Sequence, residues 1–182
     1  MRTVYIFHGI YGDPEENWIP WLRKSLEERG MRVVVPFFPT TEPLKFSDWW
    51  SVFSDLLPSV EEDSIFIGHS LGVAFMLSVL EQKKIAASFC IAPAWGVTGN
   101  EFDPIMGDIA DRPFKWDVIR ENCPSFTIFH APNDPYLPME RADTLAVNLG
   151  TTVTVVPDAG HFNEKAGYTE FDKLLEWVCW SL

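Results

Sequence analysis

A serine between two glycines is the part of this sequence best suited to covalent chemistry. In Gly68-His69-Ser70-Leu71-Gly72, each glycine stands two positions from the serine. This G-x-S-x-G spacing is typical of a strand-to-helix turn so tight that side chains at the glycine positions would collide. Such a turn exposes the serine Oγ beside the first N–H groups of the following helix. The spacing predicts Ser70 as a nucleophile and the main-chain N–H of Leu71 as an oxyanion donor.

A serine hydroxyl is a poor nucleophile near neutral pH and needs a histidine to accept its proton. In folds with this kind of turn, the chain order is nucleophile, acid, histidine. His8 and His69 precede the serine, and His69 lies inside the turn, where its side chain should point away from the site. His130 comes before the best acid. Only His161 stands last, in a loop opened by Gly160, and it is the predicted base.

The acid must hold the imidazole in one tautomer and stabilise the imidazolium. Asp134 lies in a turn-rich segment directly after a predicted strand. Asp158 is the rival, but it precedes His161 by only three residues and would more naturally shape the loop. Asp103 and Asp108 lie in an irregular stretch and are weaker candidates. Asp134 is therefore the predicted acid.

A metal site built from His130, Asp134 and His161 would be a different use of the same side chains. The sequence has no ligand spacing such as H-E-x-x-H to support it. We therefore predict chemistry that needs no metal and no cofactor.

The segment His8-Gly9-Ile10-Tyr11-Gly12 follows the first predicted strand. In folds with such a serine turn, an early post-strand loop supplies the second oxyanion donor. Gly9 lets the main chain turn beneath a substrate, so the N–H of Ile10 is the predicted donor, with that of Tyr11 as the alternative. Aromatic residues near post-strand loops predict an apolar acyl or alcohol pocket, with core packing as the competing role for each: Tyr11, Trp18, Trp95, Tyr136 and Phe162.

Short β-branched or aromatic runs alternate along the chain with longer segments of helical period. The predicted strands are residues 4–7, 32–35, 64–67, 86–91, 125–129 and 152–156. Most are apolar almost throughout, which is typical of parallel strands covered on both faces. Predicted helices begin after Asn17 as an N-cap, with Pro20 in the first turn, and at Ser47, at Ser70 and near Tyr168.

This alternation predicts an α/β protein in three layers, with about six mostly parallel strands and helices on both faces. Ligands bind such sheets at the carboxyl ends of the strands. The weakly periodic stretch 93–122 predicts either a small cap or an irregular crossover. We expect residues 1–182 to form a single domain.

Composition limits the partners. A net charge of −12 argues against nucleic acid, which requires clustered lysine and arginine. No apolar stretch approaches a membrane span, and no targeting leader is visible, so we expect no membrane association. The three cysteines lack CxxC spacing and are typical of a reducing compartment, which predicts a cytoplasmic protein. No residue pattern indicates an oligomeric state.

Several segments together carry a family resemblance: residues 4–9, 17–22, 48–49, 68–72 and 160–162. In them the chain resembles the small YdeN-like and retinoblastoma-binding-protein-9-like serine hydrolases. The Asn-Trp-x-Pro-Trp-Leu piece at 17–22 is more diagnostic than the serine turn. The resemblance implies an α/β-hydrolase fold with a minimal cap and a triad that maps onto Ser70, Asp134 and His161. The mammalian branch of the family is named for a partner protein that is bound through an L-x-C-x-E motif. None of the three cysteines here lies in such a motif, so this interaction is not expected.

The predicted function is hydrolysis of a small carboxylic ester through an acyl-enzyme, with a thioester or amide as related substrates. The expected partner is therefore a small-molecule acyl substrate. The alternative is a binding or regulatory protein that keeps the fold but has a broken triad, for instance with Asp134 pointing away from His161. A third possibility is a lyase or a cofactor-free oxidation on the same scaffold.

Overall fold

The structure is a computed structural model that describes residues 1–97, 99 and 101–181. Six parallel strands form one sheet in the order β2-β1-β3-β4-β5-β6. The strands are β1 Thr3–Phe7, β2 Arg32–Val34, β3 Ile65–His69, β4 Ala87–Ile91, β5 Phe126–His130 and β6 Val153–Val155. All six predicted strands are confirmed, with ends displaced by no more than two residues.

Seven α-helices accompany the sheet in the described ranges. They are α1 Ile19–Glu27, α2 Phe46–Ser54, α3 Leu71–Leu80, α4 Asp103–Ala110, α5 Trp116–Asn122, α6 Met139–Leu149 and α7 Asp172–Trp180. Short 3-10 turns occupy Leu57–Ser59 and Glu164–Ala166. Helix α6 was missed, although its buried residues follow helical spacing: Ala142, Leu145, Ala146 and Leu149. No helix in these ranges combines the length and the apolar character needed to cross a membrane.

The sheet separates two hydrophobic cores. Tyr5 and Phe7 of β1 point into the core shared with α2 to α6, whereas Val4 and Ile6 point into the core shared with α1 and α7. Alternate residues of a strand face opposite sides, so a continuously apolar strand fills both cores. The predicted three-layer α/β class is confirmed.

The start of α1 differs from the prediction. Trp18, not Asn17, occupies the N-cap position, and no side chain caps the helix. Asn17 adopts a left-handed backbone with φ of 55°, and its side chain accepts a hydrogen bond from the N–H of Glu164 at 2.8 Å. The distant loop thus takes the side-chain oxygen that a cap would use. Pro20 lies in the first turn, as expected.

The weakly periodic stretch 93–122 contains two short helices, α4 and α5, with Thr98 and Asn100 outside the described residues. Gly107 interrupts the helical backbone of α4 with φ of 51°. Helix α4 packs against α2 and α3, at the end of the sheet where β3 leads into the serine turn. The stretch therefore takes the form of a small helical cap.

Candidate active site

Ser70 sits between the end of β3 and the first residue of α3, in a backbone conformation with φ of 52° and ψ of −123°. This conformation is strained for a residue with a side chain and persists only where the surroundings enforce it. Its N–H donates to the carbonyl of Ile91, and its carbonyl accepts the N–H groups of Val73 and Ala94. The turn is therefore held from both sides, as a nucleophile elbow requires.

Two glycines allow this turn to pack against the loop after β1. A Cβ on Gly72 would lie 2.2 Å from the carbonyl oxygen of Phe7, and a Cβ on Gly9 would lie 2.8 Å from Cβ of Ser70. Both neighbours are too close for any side chain. The loop after β1 is thereby brought directly beside Ser70, where a second oxyanion donor would have to stand.

We expect Gly72→Ala to destabilise the protein by roughly 1–3 kcal/mol or more, because the backbone of β1 must move to admit the methyl group. Urea unfolding measures this loss. Ser78→Ala is the control, because it removes from the same buried helix only a hydroxyl that bonds to the carbonyl of Ala74. Equal unfolding midpoints for Gly72→Ala and wild type would contradict the close contact.

The side chains of the predicted acid and the predicted base lie in contact. Nδ1 of His161 lies 2.8 Å from Oδ2 of Asp134, whose side chain is completely buried. The other carboxylate oxygen accepts the N–H groups of Tyr136 and Leu137 at 2.9 and 3.1 Å. Asp134 therefore holds its own loop with one oxygen and His161 with the other. The rival Asp158 lies on the surface.

The other histidines are buried and hold main chain. His69 does not point away from the site, because its Nε2–H donates to the carbonyl of His161 at 2.9 Å. Burial lowers the pKa of His69 to about 3, so the ring is neutral. In His8, Nδ1–H donates to the carbonyl of Gly9 and Nε2 accepts the N–H of Phe38, both at 3.0 Å.

His130 plays the corresponding role in the acid loop. Its Nε2–H donates to the carbonyl of Leu137 at 3.1 Å, across the turn that contains Asp134. Burial lowers the pKa of His130, as it does that of His8. Neither ring is placed to bind a metal: across the described ranges, no three His, Cys, Asp or Glu side chains converge on a common point.

Ser70 and His161 line one cavity of about 470 Å³. One part of its wall is mainly apolar and comes from the post-β1 loop, the helical cap and the acid loop: Ile10, Ala94, Phe102, Met106, Tyr136 and Leu137. Another part is polar and comes from the segment before α1 and the loop after β6: Glu16, Asn17, Asn163, Glu164 and Lys165. The cavity thus offers separate surroundings for an apolar group and a polar group.

Two of the five aromatic residues predicted for the pocket line this cavity. Tyr11 and Tyr136 line the cavity, and the Tyr136 ring stands edge-on to His161 at 5.0 Å. The Tyr11 hydroxyl bonds to the carboxylate of Glu42, which raises the pKa of Tyr11. Phe102 and Met106, which also line the cavity, were missed because they lie in the weakly periodic stretch.

The prediction is wrong for Trp18, Trp95 and Phe162, which do not line the cavity. Trp18 and Phe162 are fully buried in the core beneath the His161 loop, and Trp95 packs edge-on against Trp116. A position near a post-strand loop does not distinguish a side chain that faces the cavity from one that faces the core. Only the packing of the loops decides this.

A parallel six-stranded sheet with helices on both faces and a strained serine between β3 and α3 defines an α/β hydrolase. The model of the family described as serine hydrolase matches residues 4–179, and the chain belongs to that family. It is 28% identical over 163 residues to serine hydrolase RBBP9 of Rattus norvegicus, covering 89% of this chain and 84% of that protein. It is 23% identical over 171 residues to YdeN of Bacillus subtilis, covering 92% and 90%.

Solved structures agree on the fold. The ydeN gene product of B. subtilis superposes with a TM-score of 0.91 at 21% identity, covering 100% of this chain and 98% of that one. Est1E of Butyrivibrio proteoclasticus, solved with bound ferulic acid, superposes with a TM-score of 0.73 at 16% identity, covering 98% and 90%. The resemblance inferred from the sequence motifs is confirmed, and the class of activity is hydrolysis.

Proposed function

We propose that the protein hydrolyses small carboxylic esters through an acyl-enzyme on Ser70. One observation carries the proposal: the buried carboxylate of Asp134 bonds to Nδ1 of His161, and His161 shares a cavity with the strained Ser70. An alternative non-catalytic protein would be expected to have a broken triad. In this protein Asp134 bonds His161, so the contact between the proposed acid and base is intact.

In the proposed reaction, Nε2 of His161 accepts the hydroxyl proton of Ser70 as Oγ attacks the substrate carbonyl carbon. The carbonyl oxygen becomes an oxyanion, for which the N–H groups of Leu71 and Ile10 are the proposed donors, each contributing about 3 kcal/mol. Collapse breaks the ester bond, and His161 gives its proton to the departing alcohol. Water, deprotonated by His161, then attacks the acyl-enzyme and releases the acid and Ser70.

The imidazolium that forms in each half of the reaction needs a negative partner. Asp134 supplies that charge and also keeps the proton on Nδ1, which leaves Nε2 able to accept the proton of Ser70. The two main-chain N–H groups that bond Oδ1 keep the carboxylate from rotating. Thioesters and activated amides fit the same chemistry as secondary substrates.

The cavity supports a short acyl group. About 470 Å³ must hold both sides of the scissile bond, and Ala94, Phe102 and Met106 of the cap segment form part of the apolar wall. We propose that acetyl to butyryl esters react with higher kcat/KM than octanoyl esters.

The first experiment is labelling with a fluorophosphonate probe, which reacts with an activated serine. The wild-type protein should label and Ser70→Ala should not, while both give the same circular dichroism spectrum. A panel of p-nitrophenyl esters of increasing chain length, run beside amide and thioester substrates, then ranks the substrate classes. A folded wild-type protein that resists the probe, or a Ser70→Ala variant that labels equally, would overturn the proposal.

We also propose a reducing compartment, the cytoplasm, for this activity. Cys90 and Cys123 are buried free thiols, and Cys179 is a half-buried free thiol. Burial raises the pKa of Cys90 and Cys123 to about 12, so both remain protonated and unreactive. Unpaired cysteines of this kind are typical of proteins kept in a reducing environment.

A further inference from the structure

Four side chains from other parts of the chain bond main-chain groups of the loop that carries His161. Asn133 Oδ1 accepts the N–H of Gly160 at 3.0 Å, and Nε2–H of His69 donates to the carbonyl of His161 at 2.9 Å. The indole N–H of Trp18 donates to the carbonyl of Phe162 at 3.0 Å, and Asn17 Oδ1 accepts the N–H of Glu164 at 2.8 Å. We call these four side chains, Asn17, Trp18, His69 and Asn133, the loop anchors.

The loop anchors come from segments that also carry the other reactive groups. His69 directly precedes Ser70, and Asn133 directly precedes Asp134. Bonds from these two side chains therefore tie the loop of the base to the turn of the nucleophile and to the loop of the acid. A shift of the loop away from either group would lengthen and weaken one of these bonds.

The loop needs such support because its backbone is strained. Gly160 has φ of 52°, which glycine adopts readily, but Phe162, which carries a bulky side chain, has φ of 50° and is strained. A non-glycine residue in this region costs on the order of 1–3 kcal/mol and persists only where surrounding contacts over-determine it. Phe162 is fully buried and stacks on Phe171 at 5.4 Å, and the Trp18 indole bonds its carbonyl.

We infer that the loop anchors are positioning residues that hold His161 in line between Asp134 and Ser70. The inference rests on the proposed function and deepens it. It also assigns a role to the Asn17-Trp18 pair, which belongs to the most diagnostic sequence segment but which the proposed mechanism does not use. Trp18 is fully buried and does not line the cavity, so it acts on the reaction only through the main chain of the loop.

Trp18→Phe is the central test, because it keeps an aromatic ring in the core and removes the indole N–H. We expect kcat for a p-nitrophenyl ester to fall at least about tenfold while KM stays within about twofold, since small misplacements of a reacting group cost up to about 10²-fold in rate. The Nδ1–H proton of His161 in its bond to Asp134 should give a downfield NMR signal. That signal should shift or broaden in Trp18→Phe.

Trp49→Phe is the matched control. Trp49 is also fully buried, and its indole donates to a loop carbonyl, that of Pro39, at 2.9 Å. The two variants therefore lose equivalent bonds, but only Trp18 bonds the His161 loop. Trp49→Phe should keep the wild-type kcat within about twofold and leave the NMR signal in place.

A second pair of variants avoids the core. Asn133 is exposed, so Asn133→Ala should fold, lose the acceptor for Gly160 and lower kcat by about threefold or more. Asn133→Asp keeps an oxygen acceptor at this position and should restore most of the rate.

Wild-type kcat and an unchanged NMR signal in folded Trp18→Phe and Asn133→Ala would overturn the inference while leaving the proposed function intact. Equal losses of kcat in Trp18→Phe and Trp49→Phe would also overturn it, because they would show that the loss comes from general destabilisation of the core. A wild-type protein that neither labels nor hydrolyses esters would instead refute the proposed function. The NMR signal would still report whether the anchors hold the loop.

Discussion

Asp134→Asn should lower kcat about 10⁴-fold with little change in stability. In the variant, Oδ1 can still accept the N–H groups of Tyr136 and Leu137, so the loop keeps its support. The new amide N–H₂ takes the place of Oδ2 and faces Nδ1 of His161. Two donors cannot bond each other, so the ring adopts the tautomer with its proton on Nε2. That nitrogen then cannot accept the proton of Ser70.

The matched control is Asp158→Asn, the same substitution in the same part of the fold. Asp158 is exposed and has φ of 59°, a backbone conformation that asparagine tolerates well. We expect Asp158→Asn to keep kcat within about twofold. Steady-state kinetics on a short p-nitrophenyl ester and urea unfolding of all three proteins make the comparison. A larger loss of kcat in Asp158→Asn than in Asp134→Asn would show that Asp158, and not Asp134, is the acid.

The buried His69 should make the protein lose stability in mild acid. The pKa of His69 falls from 6.5 in the unfolded chain to about 3 in the folded one, because burial disfavours the charged ring. Between these values the unfolded chain binds a proton that the folded protein does not. Above pH 6.5 the ring is neutral in both states and its titration costs no stability. As the pH falls from 6.5 towards 3, the free energy of unfolding decreases by about 1.4 kcal/mol per pH unit.

His69→Gln isolates this contribution, because glutamine can still donate an N–H to the carbonyl of His161 but does not titrate. Between pH 7.5 and pH 5, the free energy of unfolding of the wild type should fall by roughly 2 kcal/mol more than that of His69→Gln. Urea titrations at the two pH values measure the difference. His8→Gln and His130→Gln should change the pH dependence in the same direction, because burial also lowers the pKa of those rings. Parallel stability curves for wild type and His69→Gln would contradict a neutral buried His69.

Local sequence patterns were sufficient to predict the sheet and to select candidate reactive side chains. A strand is recognised by its apolar run, and a serine elbow by glycines at fixed spacing, because both depend on neighbouring residues only. Chain order then separated His161 from three other histidines, and the short spacing of three residues between Asp158 and His161 favoured Asp134 as the acid. The structure brings these two side chains to within 2.8 Å of each other.

Patterns were not sufficient where the outcome depended on contacts between distant segments. Asn17 had the sequence context of a helix cap, but the N–H of Glu164 takes its side-chain oxygen. His69 was expected to face away, but it bonds the main chain of His161. Residues of the cap segment that line the cavity, Phe102 and Met106, lie in a stretch with no clear period.

By itself, then, the sequence determined an α/β hydrolase with Ser70 in its elbow and a candidate base and acid in the right order. Tertiary structure alone decided which aromatic rings face the cavity, because Trp18 and Tyr136 have the same kind of local context and opposite surroundings. It also decided how the loop of His161 is held. Each loop anchor forms its hydrogen bond with a residue at least 27 positions away, and no local pattern encodes such a pairing.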